Sequence, residues 1–399
     1  MRDMLDIWPE FPISIEDDGD ATVEGATNVV NALKLNDRVS RIKLWNVSSS
    51  EVKLERVVEL MQDPFLTLTC LSLWSSGVTL PVISDSFLGG SAPRLQNLWL
   101  DGIPFPALPN LLLSATDLVH LRLWRVPHSG YISPEAMVSC LSALTRLEEF
   151  VLGFHSPRSR PSRTGRLRRP LTRTILPALT QLRYKGVTEY LEDLVARIDI
   201  PLLQEIEMTF FNQLVFDISQ LPKFVTRTAT IATLDQADVV FYNGSISIEL
   251  SSQTVTVDPA KLTLRISCRQ LDWQLSSLAQ VCNSTLATPS TLDRLDIHED
   301  RHSPPHWQDD IETTQWLELF HPFTSVKNLH LSKQVTPCVA PALKELPGER
   351  VTEVLPALQN LFIDGLQPSG PDQEAFGGFV AARQLSGCPV TIHHWERRK

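Results

Sequence analysis

One short apolar template, L-x-x-L-x-L, recurs ten times along this chain. It is clearest where ten residues are written almost twice, RLQNLWLDGI at 94–103 and ALQNLFIDGL at 357–366. The copies are Val39-Ile42-Leu44, Leu68-Leu71-Leu73, Leu95-Leu98-Leu100, Leu118-Leu121-Leu123 and Leu147-Phe150-Leu152. They continue as Leu179-Leu182-Tyr184, Leu203-Ile206-Met208, Leu292-Leu295-Ile297, Val326-Leu329-Leu331 and Leu358-Leu361-Ile363. Successive copies start 29, 27, 23, 29, 32 and 24 residues apart, then after a gap of 89, and then 34 and 32. The gap is about three steps wide and holds the strand-like runs TRTATIATL, SISIELS and KLTLRISC, read as degenerate units.

The second and third apolar residues of each copy are two apart, so on a strand they point to one side. One short strand cannot bury that side. Stacked neighbours can, as a parallel sheet over a shared core. Steps of this length with this core are the signature of leucine-rich repeats. The intervening segments 48–63, 133–144, 188–199 and 272–282 carry helical spacing, with Ser133 as N-cap and Pro134 at the first helical position. The expected fold class is therefore α/β, an irregular leucine-rich-repeat solenoid with the sheet on its concave face and helices on its convex face. Common versions of the repeat place Asn or Cys three positions after the last apolar residue. Here those places hold Val47, Ser76, Ile103 and Val126, so irregular units are expected, most of all across 210–290. The expected organisation is an acidic, mostly irregular leader at 1–35, the solenoid at 36–370 and a helix-strand cap at 371–399.

Composition narrows the class. The chain has 399 residues, 43% apolar and 21% charged, with formal net charge −10, which argues against wholesale nucleic-acid binding. The six cysteines are scattered with no C-x-x-C pair, so neither a zinc ribbon nor a redox dithiol is indicated. The first twenty residues are too acidic and proline-broken for a signal peptide, and no apolar run is long enough to span a bilayer. The sequons at Asn46, Asn243 and Asn283 are accordingly read as carrying no sugar. A reducing cytoplasmic or nuclear location is expected.

The third, fifth and seventh places of each copy lie beside the inward residues and are expected on the open face. They read Arg41, Lys43, Trp45, then Cys70, Ser72, Trp74, then Asn97, Trp99, Asp101, then His120, Arg122, Trp124. Aromatics with arginine are the usual anchors of protein interfaces. The competing reading packs the tryptophans under neighbouring loops, or shifts the register by one and buries them. Later units carry Arg183 with Lys185, Glu205 with Glu207, and Asp296 with His298, with no stripe of one sign. The insertion at 155–173 holds seven arginines and no acid, among them Arg158, Arg160, Arg163, Arg166, Arg168 and Arg169. It reads as a solvated disordered loop; an anionic partner, nuclear import, or phosphorylation at Ser159 or Ser162 are the functional alternatives.

No catalytic residue is nominated. HEDRHSPPH gathers His298, Glu299, Asp300, His302 and His306, but the prolines prevent the helix that would aim two imidazoles at one metal. His393 and His394 alternate on a strand and face opposite ways. There is no G-x-S-x-G elbow, P-loop or G-x-G-x-x-G. No cofactor and no metal are expected.

The run WLELFHPFTSVKNLHLSKQVTPCVAPALKEL and the ending VLPALQNLFIDGLQPSGPDQEAFGGFVAARQLSGCPVTIHHWERR give the whole chain a resemblance to fungal F-box and leucine-rich-repeat proteins of the mushroom-forming kind. The resemblance implies an intracellular monomer that is not an enzyme. In such proteins the repeats choose a protein substrate for a ubiquitin ligase, and an F-box binds the ligase adaptor. An F-box is a longer helical module than residues 1–35 can hold, so the chain is expected to be the repeat region with the F-box missing. A stand-alone repeat scaffold unconnected with a ligase is the alternative.

Overall fold

A computed structural model describes residues 11–18, 22–45, 53–77, 82–157, 172–213, 216, 218–231, 234–252, 260–285, 292–305, 307, 312–346, 348–365 and 370–396. The chain divides into two compact units, Met1–Gly186 with Asp193–Leu203, and Val187–Glu192 with Gln204–Lys399.

The first unit is a parallel sheet built in chain order. It runs β1 (Ile13–Asp17), β2 (Val39–Leu44), β3 (Cys70–Trp74), β4 (Asn97–Asp101), β5 (His120–Val126), β6 (Glu149–Phe154) and β8 (Gln181–Gly186), each parallel to the next. The connections hold α1 (Val23–Leu33), α2 (Leu54–Leu60), α3 (Leu108–Ser114) and α4 (Pro134–Ala143). Ser133 caps α4 by accepting from the Ala136 N–H at 3.2 Å, with Pro134 at the first position. Two short strands, β7 (Thr174–Ile175) and β9 (Ile198–Asp199), pair separately, and α5 is Thr188–Val195. Within the leader expected at 1–35, Ile13–Asp17 forms β1, the edge strand of this sheet, and Val23–Leu33 forms α1.

All thirty apolar residues of the ten copies are at most 3% exposed, so the template marks the core side of every strand it touches. Two features repeat with it. A buried apolar residue stands three positions before most copies, as Phe65, Ala92, Ala115, Leu144, Phe323 and Leu355 do. Its carbonyl accepts the N–H of the copy's first residue, which closes a tight turn before the strand. In addition, one carbonyl per turn accepts two N–H groups from the next strand. The Thr69 carbonyl takes those of Gln96 and Asn97 at 2.8 and 3.0 Å, and the Gln96 carbonyl takes those of Val119 and His120 at 2.9 and 3.0 Å. The backbone polar groups at the strand entries are thereby satisfied by the stack itself.

The second unit is not parallel throughout. Its sheet is ordered β10 (Glu205–Phe211), β13 (Lys261–Ser267), β12 (Ser245–Ser251), β11 (Gln236–Tyr242), β14 (Arg294–Glu299), β15 (Asn328–Leu331), β16 (Asn360–Asp364) and β17 (Thr391–Trp395). β12 is antiparallel to both its neighbours, while β13 is parallel to β10 and β11 to β14. The 89-residue gap therefore does not hold three degenerate repeats. It holds an antiparallel hairpin and its return strand, spliced into the stack. The reason is local: Asn243-Gly244 makes a two-residue turn with Gly244 at φ +112°, which joins adjacent strands without a crossover. The described residues of TRTATIATL form no strand; the stretch begins in the end of α6 (Leu221–Arg227).

Beyond the hairpin the stacking resumes through α7 (Leu271–Thr285), α8 (Thr313–Phe320), α9 (Thr336–Lys344) and α10 (Pro371–Leu385). Glu192 closes the entry to α6: its carboxylate accepts the N–H groups of Ser219, Gln220 and Leu221 at 2.7, 2.6 and 2.8 Å. Among the described residues no helix is long and apolar enough to cross a membrane.

Candidate functional site

Parallel pairing turns the third, fifth and seventh places of the first unit into rows. One row reads Arg41, Cys70, Asn97, His120, Glu149, and the next reads Lys43, Ser72, Trp99, Arg122, Val151. Trp74, Asp101 and Trp124 align in the third row. The strand leucines between these places are buried, so the rows share the side facing away from the core. Trp45, Trp74, Trp99 and Trp124 are each half-buried on it, neither in the core nor free in solvent.

The tryptophans shield one another. Trp45 meets Trp99 edge to face at 5.1 Å between centroids and Trp74 at 6.1 Å, an arrangement favoured by the ring quadrupole. Arg122 lies over Trp99 at 5.8 Å and Arg125 over Trp74 at 5.4 Å. Beside Trp45 and Trp99 opens a groove of about 360 Å³, lined from four successive strands, β2 to β5. Arg41, Lys43, His120 and Arg122 line it together with the two rings; Trp74 and Trp124 lie outside it.

Acids of neighbouring strands fix the arginines. Glu149 takes Arg122 bidentately, Nε at 3.0 Å to both oxygens and Nη2 at 2.7 Å to Oε2. Lys43 pairs with Glu16 on β1 at 3.3 Å. Arg125 has φ +49° and sits where the register between β5 and β6 shifts. This bulge turns its guanidinium onto the Asp101 carboxylate, while Nη2 donates to the Ser75 carbonyl at 2.9 Å. Burial pushes the Asp101 carboxyl up, and the hydrogen bonds from Arg125 and Trp74 pull it back. Gly153 serves Trp124: a Cβ there would lie 2.5 Å from the indole, so only glycine leaves room for the ring, which Lys185 approaches at 5.7 Å. Sequence reasoning named the tryptophans, Arg122 and Asp101 but missed Glu149, Arg125 and Gly153. Glu149 stands at the third place of its own copy and was readable by aligning copies. Arg125 depends on a bulge that no local pattern announces.

The arginines of the insertion, Arg158, Arg160, Arg163, Arg166, Arg168 and Arg169, lie outside the described residues, as do Ser159 and Ser162. So does His306. Among the described residues no group of three or more His, Cys, Asp or Glu is placed to hold a metal. His298 turns instead to Asp238, Nε2 to Oδ1 at 2.7 Å.

The second unit carries its own aromatic row. His330, Phe362 and His393 are paired across β15, β16 and β17 and stack at 4.2 and 4.8 Å, with Trp395 edge-on to His330 at 5.0 Å. Alongside, Asn328 donates to Asp293 at 2.9 Å, Asn360 donates to Asn328 at 2.9 Å, and His393 Nε2 meets Asn360 Oδ1 at 3.1 Å. His394 is exposed, on the other side of the strand from His393. His330 is 7% exposed, and burial holds its ring down at about 4 despite Asp296. A base whose folded pKa lies below its unfolded value resists protonation only when folded. Stability should therefore fall as pH drops from about 6.5 to about 4, by up to about 3 kcal/mol, and His330→Phe should flatten that slope in thermal unfolding.

Among the described residues of the tryptophan face, neither Cys70 nor Ser72 is hydrogen-bonded to His120. What the face offers is aromatic area, fixed guanidinium groups and an open groove. No family model matches the chain. No curated protein matches it either. Among solved structures it is similar to the leucine-rich repeat-containing protein LegL7 from Legionella pneumophila, at 15% identity over 94% of this chain and 98% of that chain, with a TM-score of 0.31.

Proposed function

We propose that this protein is a non-catalytic protein-recognition module, an irregular leucine-rich-repeat solenoid interrupted by a hairpin, that grips its partner with the strand face of the first unit. The observation that carries the reading is the groove beside Trp45 and Trp99, with cations on both flanks. Half-buried tryptophan beside arginine, held in place before any partner arrives, is the composition of an interface hot spot. Pairing with Glu149 fixes Arg122 and reduces the ordering it would otherwise undergo on association.

The test is a quantitative pull-down with the full chain, wild type against Trp99→Ala, followed by titration of the purified partner. Affinity is expected to fall by at least about 2 kcal/mol, as for a hot-spot aromatic. An unchanged affinity would move the interface elsewhere. Service as the substrate-selecting part of a ubiquitin-ligase receptor follows from the resemblance to F-box proteins, and copurification with the ligase adaptor is its test. The alternative, a scaffold with no ligase connection, uses the same face and gives no adaptor.

A further inference from the structure

We infer, building on the protein-recognition reading, that the groove takes an extended acidic peptide lying across the strands, with an apolar side chain seated against Trp45 and Trp99 and a carboxylate towards each end. The direction comes from the lining. It is drawn from β2, β3, β4 and β5 in turn, so a chain laid across the strands meets side chains of all four. The charge comes from the same lining. It contains Arg41, Lys43 and Arg122 and no acid, within a chain of net charge −10.

The cations are unequally committed. Arg41 is exposed and makes no ion pair with a described residue. Lys43 holds Glu16 in a pair that both partners expose to solvent, so it exchanges readily. Arg122 uses Nε and Nη2 on Glu149, which leaves Nη1 outside that pair. Arg41 and Arg122 stand on β2 and β5 and one row apart, three strand intervals or about 14 Å across the sheet and about 7 Å along it, roughly 16 Å in all. An extended peptide rises about 3.3 Å per residue, so carboxylates four residues apart span about 13 Å and the long arginine side chains close the rest. The residue midway between them falls beside the tryptophan pair. The geometry therefore points to acid-x-apolar-x-acid.

A nucleic-acid strand fits less well. Aromatic faces and cations are its usual platform, but it needs cations repeated along a backbone path. Here two of the three already hold Glu16 and Glu149, and Asp101 lies in the next row.

The experiment titrates the full chain with fluorescent peptides and follows anisotropy. The probes are Gly-Glu-Ala-Phe-Ala-Glu-Gly, the same peptide with Gln or with Lys for both Glu, and a short oligothymidylate. The acidic peptide is expected to bind about tenfold or more tightly than its Gln and Lys counterparts, and Arg41→Glu to erase that advantage. Arg41 is exposed, so an unchanged thermal midpoint will show that the variant folds, and Arg41→Gln should fall between it and wild type. Equal binding of the acidic and Gln peptides would overturn the charge assignment and leave protein recognition standing. So would no peptide binding beside a partner still lost in Trp99→Ala. Tighter binding of oligothymidylate, itself lost in Arg41→Glu, would overturn both.

Discussion

Arg383→Leu should cost the second unit about 4 kcal/mol, among the largest effects of any single change in this protein. Arg383 sits on α10 with none of its surface exposed. Its Nη1 donates to the Val351 carbonyl at 3.1 Å, and its Nη2 to the carbonyls of Pro356 and Leu358, each at 3.1 Å. No carboxylate accompanies it in these bonds; three backbone carbonyls offset the desolvation, and burial pushes its pKa below the usual arginine range. Those carbonyls belong to the loop entering β16, where Leu355 is in the left-handed region at φ +49°. Leucine would fill part of the volume and leave three buried acceptors without donors. Arg383→Lys should recover only part of the loss, because one ammonium cannot span three carbonyls in the guanidinium's plane. Denaturant unfolding gives the size. Hydrogen exchange gives the place, with protection lost first across 351–361. A loss under about 1 kcal/mol would mean that water replaces the guanidinium.

Gly102→Ala should destabilise the first unit by about 3 kcal/mol, whereas Gly365→Ala should cost only about 1 kcal/mol. The two glycines hold the same place in the near-identical stretches 94–103 and 357–366. Both are left-handed, at φ +74° and +66°, so alanine meets the same backbone strain at each. Their surroundings differ. A Cβ at 102 would lie 2.5 Å from the Ser75 carbonyl oxygen, an atom that also receives Arg125 Nη2. A Cβ at 365 would meet the side chain of Lys333 at 3.2 Å, which can swing away. Because the Ser75 carbonyl supports the Arg125 bulge, Gly102→Ala should also disturb the tryptophan face. Comparison of the two thermal midpoints decides it, and equal losses would show that φ alone sets the cost.

Local signals were legible wherever a residue's neighbours in sequence are also its neighbours in space. Ser133 and Pro134 announced α4, and the alternation of each template announced which side of each strand is buried. The hairpin was announced too, by Asn243-Gly244 between two alternating runs. It was masked because SISIELS resembles a repeat strand in all but direction, and the direction of a strand leaves no mark in its alternation. At the tryptophan face the outward residues followed from register alone. The ion pairs did not, since Glu149 meets Arg122 from another strand and Asp101 meets Arg125 through a bulge.

The amino-acid sequence by itself determined that ten short strands bury one side, that each must be stacked on a neighbour, and that tryptophan and arginine occupy the alternate places of the early copies. Period and alternation are properties of a single segment, and burial acts on them residue by residue. Only the tertiary structure decided that β1 extends the first sheet, that a reversed strand interrupts the second, and that the cations beside Trp45 and Trp99 border a groove without an acid in its lining. Those outcomes depend on which segments meet, and that is set by pairing and packing summed over strands far apart in the chain.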